Sequence, residues 1–262
     1  MIGRSQLTRI PSSNGSRSPS TEPPADTAPP PVPRDEWRRA MAEAPGAAWQ
    51  QDVSVLVIAA HPDDEAIGAG RLLADHVGPV RCVTLTAGER CHGDHADLDD
   101  VARKRLREWA EALSVLGVTR VDTRRWPDGD LAGHEGEATE VVAALAAEAD
   151  VVLAPWRHDP HPDHEAAGRV GAAAAQTAGV PLWGYLVWTP YWFPAAEITR
   201  RGATLRVYPT SERAGRLRTE AIARHRSQIE PQHPAVRPVV PPELVDRHEC
   251  QMLVQEPDEQ NA

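Results

Sequence analysis

Apolar positions along the chain fall into segments of two alternating kinds. Residues 53–60 (VSVLVIAA) are a continuous apolar run of strand length, the pattern of a strand covered on both faces. Residues 66–77 then space their apolar side chains as a helix does. Residues 80–86 read as a second strand, and residues 98–116 as a long helix stopped by Gly117. The alternation continues with a strand at 120–125, a helix at 138–149, a strand at 150–154, a helix at 165–177 and a strand at 182–188. This order predicts an α/β fold, a Rossmann-like three-layer sandwich with a mostly parallel central sheet. A late helix is predicted over 210–227, and the Pro-rich residues 231–262 are expected to pack on the domain as a surface tail.

The chain changes character at its start. Residues 1–34 hold eight Pro and six Ser with almost no aliphatic periodicity. They bury too little apolar surface to offset the entropy of ordering, so a disordered arm is expected. A short helical segment with Trp37, Met41 and Trp49 follows, interrupted at Pro45 and Gly46, and is expected to dock on the domain. The organisation read from the sequence is therefore an arm and docking segment over 1–50, a folded domain over 51–230 and a tail over 231–262.

Composition narrows the function. With 38 acidic against 28 basic residues the formal charge is -10, which leaves no electrostatic source for general affinity to nucleic acid or anionic membranes. No stretch approaches the ~20 apolar residues of a membrane span. Three cysteines, Cys82, Cys91 and Cys250, give no disulfide framework, and the first residues lack the apolar core of a secretory signal. A cytoplasmic protein is expected.

Chemistry concentrates after two of the predicted strands, the edge where open parallel sheets bind ligands. The first strand runs into His61-Pro62-Asp63-Asp64-Glu65, one imidazole and three carboxylates in a turn, a cluster that repels itself without a cation. The strand at 150–154 runs into Arg157-His158-Asp159-Pro160-His161-Pro162-Asp163-His164, which brings three imidazoles to the same edge. Histidine with carboxylate favours zinc held by three protein ligands, although iron(II), cobalt or manganese accept the same donors. No GxGxxG follows the first strand, which argues against a dinucleotide enzyme.

These two segments resemble the signature motifs of the PIG-L (LmbE-like) zinc-dependent N-deacetylase family. The similarity continues through Thr84-Leu85-Thr86-Ala87-Gly88-Glu89, Arg105 and Glu108, Leu116-Gly117-Val118, Pro127-Asp128-Gly129 and His225-Arg226-Ser227-Gln228. The resemblance implies His61, Asp64 and His164 as metal ligands and Asp63 as general base. It also implies that His161 assists at the carbonyl or the leaving amine, that Asp163 orients an imidazole, expected to be His161, and that Arg105 and Asp128 contact sugar hydroxyls. The implied partner is a small amino-sugar conjugate, N-acetylglucosamine on a larger aglycone, of the kind found in glycopeptide or aminoglycoside antibiotic biosynthesis. Two alternatives are a mycothiol-pathway deacetylase or thiol-conjugate amidase, and a non-catalytic metal- or sugar-binding module. Asp159 departs from the Tyr that mycothiol-pathway deacetylases carry two residues before the corresponding His161.

Other residues have roles read from their own surroundings. Trp183, Tyr185, Trp188, Tyr191, Trp192 and Phe193 gather six of the twelve Phe, Tyr and Trp residues in one stretch. Trp188 and Trp192 fall on the loop after the strand, where they can hold a sugar face or an apolar part of the substrate. Cys91-His92-Gly93-Asp94-His95 is read as loop decoration rather than a second metal site, and Glu65 either as a support for His61 or its loop or as a glutamate favoured in a helix's first turn. His225 and Gln228 are expected to tie the last helix to the active edge.

Overall fold

A computed structural model of the chain describes residues 31–93, 96–233 and 236–257. The expected disordered arm lies, over residues 1–30, outside them. Seven strands form one sheet: β1 (Val55–Ala59), β2 (Val80–Thr84), β3 (Arg120–Thr123), β4 (Val151–Pro155), β5 (Leu182–Tyr185), β6 (Thr204–Tyr208) and β7 (Gln251–Gln255). Their order is β3-β2-β1-β4-β5-β7-β6, with the first five mutually parallel and β7 antiparallel to both neighbours. The mostly parallel Rossmann-like sandwich read from the sequence is the architecture observed.

The apolar run of β1 follows from its position. Val55 and Val57 join Leu72, Trp109 and Leu113 on one face, while Leu56 and Ile58 join Val83, Val142 and Val170 on the other. Successive side chains of a strand alternate, so a strand with helices on both faces is apolar at every position. Each such side chain contributes about 1.5–3 kcal/mol by leaving water.

The helices are α1 (Arg34–Glu43), α2 (Asp64–Gly68), α3 (Gly70–Asp75), α4 (Leu98–Val115), α5 (Glu135–Ala146), α6 (Pro162–Ala178), α7 (Thr189–Trp192), α8 (Ala196–Arg200), α9 (Glu212–Ile222), α10 (Arg226–Ile229) and α11 (Pro242–Val245). Helices α3, α4 and α9 cover the Val55 face, and α5 and α6 the Leu56 face. Among the described residues no helix is long and apolar enough to cross a membrane.

Several elements differ from the sequence reading. The helix predicted from residue 66 starts two residues earlier and breaks at Ala69 into α2 and α3. Gly68 explains how closely α2 approaches β5, since a Cβ there would lie 2.5 Å from both the Leu186 carbonyl oxygen and Tyr185 Cδ2. The strand predicted to reach Trp188 ends at Tyr185, and the chain turns into α7. The tail does not simply cover the surface: its residues 251–255 are β7, inserted between β5 and β6 with Met252, Leu253 and Val254 buried. At the other end, Trp37 is buried against Trp156, Leu186 and Met252, and its Nε1 donates to the Phe193 carbonyl at 3.0 Å. Ala47 N–H donates to Val207 O and Val207 N–H to Pro45 O, so this segment covers the β6 edge that would otherwise be open.

Candidate active site

The strand order places a topological switch between β1 and β4, whose following loops diverge and leave a crevice at the carboxyl edge of the sheet. Residues 61–64 follow β1 and residues 159–164 follow β4. Gly88 follows β2, Asp128 follows β3 and the turn at 187–189 follows β5, so all five parallel strands deliver residues to one edge. Helix α6 starts in this crevice. His161 is its N-cap, with Nδ1 accepting the Asp163 backbone N–H at 3.2 Å and Pro162 in the first helical position, and His164 falls in the first turn.

Three residues from two distant segments meet there. His61 Nδ1 lies 3.2 Å from His164 Nε2, Asp64 Oδ1 lies 3.1 Å from His164 Nε2, and Asp64 Oδ2 lies 3.6 Å from His61 Nδ1. The outer nitrogens identify the tautomers. His164 Nδ1 donates to Asp159 Oδ2 at 2.8 Å, and His61 Nε2 lies 3.2 Å from both Asp128 Oδ1 and Asp163 Oδ2. Carboxylates on those sides would hold the imidazole protons outward with a cation in place, leaving His61 Nδ1, His164 Nε2 and the Asp64 carboxylate to face it. Tetrahedral zinc, with bonds near 2.0–2.2 Å, sets its ligand atoms about 3.3 Å apart, and the three observed separations bracket that value.

Electrostatics agrees with the donor geometry. Burial disfavours charge on both imidazoles, yet hydrogen bonds to the Asp128, Asp163 and Asp64 carboxylates hold His61 well above the ordinary histidine value. Burial is likewise outweighed at His164, which Asp64 and Asp159 push up to about 9. The cluster thus demands positive charge. Only one proton fits in the 3.2 Å between the facing nitrogens, and a divalent cation satisfies the demand more fully. The residues present therefore fit a metal ion. Two further triads, His61-His161-His164 and His61-Asp128-Asp163, also bring donor atoms within 4.8 Å of one another. In the second of them the His61 proton already links the groups.

Beside this tripod, Asp63 Oδ1 accepts from Arg105 Nη2 at 2.9 Å, and Arg105 Nη1 donates to the Gly88 carbonyl at 2.8 Å. Burial pushes the Asp63 carboxyl up, with Arg105 opposing it. Burial and the neighbouring His164 and His61 drive His161 down to about 3, so it is a neutral imidazole whose Nε2 carries the proton. Its ring centroid lies 4.8 Å from that of His61 and 4.6 Å from that of His164.

The predicted site residues are thus brought to one crevice, with some partners unlike those expected. Asp163 meets His61 rather than His161, because its Oδ atoms are turned toward the Gly129 and Leu131 amides, at 2.8 and 3.2 Å, on the His61 side. Asp128 is engaged inside the protein, Oδ1 by His61 and Oδ2 by the Arg90 backbone N–H at 2.7 Å. Trp188 and Trp192 stack with centroids 6.4 Å apart and planes inclined by 18° at the start of the β5 turn. Glu65 is fully buried and accepts from Trp109 Nε1 at 3.0 Å, tying α2 to α4 instead of supporting His61. Gln228 Nε2 lies 3.5 Å from Cys91 Sγ, and Ser227 donates to Glu108, which joins α10 to α4 and to the loop after β2. The Cys91–His95 stretch lies partly outside the described residues, at 94 and 95. Asp159 was passed over as a functional residue. Its signal was available in its place five residues before His164, on the loop that carries the second motif.

Comparison with known proteins agrees with this geometry. Residues 56–175 match a family model described as PIG-L: GlcNAc-PI de-N-acetylase. A diacetylchitobiose deacetylase of Thermococcus kodakarensis is 32% identical over 135 residues, 48% of this chain and 51% of that relative. A 1D-myo-inositol 2-acetamido-2-deoxy-alpha-D-glucopyranoside deacetylase of Mycolicibacterium vanbaalenii is 34% identical over 171 residues, 52% of this chain and 58% of the relative. The chain thus spans about half the length of the curated relatives it matches. The fold is shared with the zinc-inhibited form of teicoplanin deacetylase Orf2, at 19% identity and a TM-score of 0.62, over 79% of this chain and 99% of the other. Residues 56–175 thus carry a match to the PIG-L, or LmbE-like, family within the shared deacetylase fold.

Proposed function

We propose that the protein is a zinc-dependent N-deacetylase that hydrolyses the acetamide of an N-acetylglucosamine-type sugar carried on a larger aglycone. The observation that carries this reading is the facing of His61 Nδ1, His164 Nε2 and the Asp64 carboxylate beside a buried, arginine-held Asp63. A divalent ion held by those three residues would polarise the amide carbonyl and acidify a water molecule. Asp63 accepts the proton of the attacking water while Arg105 keeps Oδ1 in place. The water oxygen bonds to the acyl carbon, and His161 donates a hydrogen bond from Nε2–H to the oxygen that gains charge. The nitrogen takes the proton from Asp63 as the C–N bond breaks, and the acetic acid formed gives its remaining proton to the free amine, leaving acetate and an ammonium group. In this scheme Arg105 acts through Asp63, and Asp128 and Asp163 hold the His61 ring.

The aromatic turn at Trp188 and Trp192 suits an aglycone with an apolar portion, such as a glycopeptide-type precursor in antibiotic biosynthesis. Asp159, buried and wholly engaged, is unavailable for the part a Tyr plays in the mycothiol-pathway enzymes, which disfavours that substrate. A cytoplasmic location is part of the same proposal, supported by three free cysteines that suit a reducing compartment. The test is acetate release from a panel of N-acetylglucosaminides, including an inositol glycoside and a glycopeptide pseudoaglycone, after chelation and after zinc is restored. Release that ignores the chelator, or none from any N-acetylglucosaminide, would refute the proposal.

A further inference from the structure

Asp159 joins two parts of the site that are separate in sequence. It is fully buried, and its carboxylate accepts five hydrogen bonds. Oδ2 takes His164 Nδ1–H at 2.8 Å and the Trp188 backbone N–H at 3.0 Å. Oδ1 takes the backbone N–H groups of Val187 at 3.1 Å and Thr189 at 2.8 Å, and the Thr189 hydroxyl at 2.6 Å. A carboxylate whose two oxygens accept five hydrogen bonds and donate none is in its anionic form. A single anionic oxygen is therefore shared between a metal-facing imidazole and the first residue of the aromatic turn.

That sharing has an energetic consequence. When an imidazole gives its Nε2 lone pair to a cation, its Nδ1–H becomes a stronger donor and its hydrogen bond to a carboxylate tightens. Oδ2 is then drawn toward His164, and the Trp188 amide on the same oxygen feels the change. Linkage makes the effect reciprocal: whatever seats the turn also strengthens the metal site. We propose that Asp159 is a positioning residue that couples occupancy of the metal centre to the seating of the Trp188–Trp192 turn. The inference rests on the metal-dependent reading above and extends it to a structural element that touches none of the three ligands.

The coupling separates from simple ligand orientation in zinc titrations of two variants. Asp159→Asn should weaken zinc binding measured by calorimetry about 10–100-fold, the usual effect of losing a carboxylate behind a metal-binding histidine. Thr189→Val removes only the hydroxyl bond on the turn side and keeps side-chain shape, so it serves if the Asp159 variant does not fold. It should weaken zinc about fivefold although it has no contact with a ligand. Fluorine NMR of fluorotryptophan-labelled protein supplies a readout independent of turnover. The Trp188 resonance, assigned by its loss in Trp188→Phe, should shift on zinc addition in the wild type and stay fixed in Asp159→Asn. Wild-type zinc affinity in folded Thr189→Val, or a Trp188 resonance indifferent to zinc, would overturn the coupling while leaving the deacetylase reading intact. Wild-type protein that binds no divalent ion would remove both.

Discussion

Arg105 and Asp63 form an ion pair almost sealed from solvent, with Nη2 2.9 Å from Oδ1. Arg105 comes from the middle of α4 and Asp63 from the loop after β1, so the pair also joins a covering helix to the active edge. Removing one partner of such a pair leaves a buried charge uncompensated, at a cost of about 3–5 kcal/mol. Arg105→Ala is therefore expected to lower the unfolding midpoint in urea and to reduce kcat about a hundredfold, the scale of a mispositioned general base. Zinc content should remain that of the wild type, since Arg105 touches no ligand in the tripod. Loss of zinc together with activity would move Arg105 from the base to the metal site.

Gly88 tests the same pair without altering either charge. Its φ is +61°, a left-handed conformation that side chains rarely adopt, and a Cβ there would lie 2.0 Å from Arg105 Nη1. Gly88→Ala must push the guanidinium aside. The expected result is a fall in kcat comparable with that of Arg105→Ala and little added effect in the double variant, because both changes break one contact. Additive losses would show that Gly88 serves another purpose.

Ligand and base should separate cleanly. His164→Ala and Asp64→Ala each remove a donor from the facing set and are expected to lose zinc, measured by elemental analysis, along with activity. Asp63→Asn keeps the set and its hydrogen-bonding shape, so it should retain zinc while kcat falls about 10²–10⁴-fold. A His164→Ala protein with full metal and near-normal turnover would dismantle the ligand assignment.

The contrast between β1 and β7 shows what the sequence could reveal. At β1 every position is apolar and the His-Pro-Asp-Asp motif follows at once, so the strand, its burial and the candidate chemistry at its end are written in consecutive residues. At β7 the apolar residues Met252, Leu253 and Val254 are three in a polar, Pro-rich segment, and their strand character comes from partners about 45–70 residues earlier in the chain. The site divides in the same way. His61, Asp64 and His164 could be read from motifs, but the turning of Asp163 toward His61 depends on the Gly129 and Leu131 amides, contributed by another loop. Asp159 was legible in part: its place five residues before His164 could be read from the motif, but its bonds to Val187, Trp188 and Thr189 join a second segment whose approach is a property of the sheet.

Trp188 and Trp192 are half-buried and stacked, leaving aromatic surface at the β5 turn. If they receive the apolar part of an aglycone, their loss should affect substrates according to what lies beyond the sugar. Trp192→Ala is expected to raise KM about tenfold for an N-acetylglucosaminide with a hydrophobic aglycone, the value of burying a modest apolar area. It should leave KM for N-acetylglucosamine itself within about twofold. Equal changes for both substrates would place the turn outside the binding surface.

His248 gives the fold a specific sensitivity to acid. Its ring is buried, Nε2 lies 2.9 Å from the Leu186 carbonyl oxygen and Nδ1 3.3 Å from that of Leu244. Burial, assisted by the nearby Arg218 charge, lowers it to about 4. His225, also buried, is lowered to about 3 by burial and then by Arg105. Both histidines titrate near 6.5 when unfolded, so below that pH the unfolded chain binds protons that the native protein refuses. Their contribution is fully present above pH ~6.5 and is lost as pH falls toward ~4. For His248 the loss between pH 7 and pH 5 is about 2 kcal/mol. Urea unfolding at those two pH values should show a drop of at least that size, and His248→Gln, which retains an N–H for Leu186, should shrink it by about the same amount. A pH dependence unchanged in the variant would mean that His248 is already protonated in the native protein.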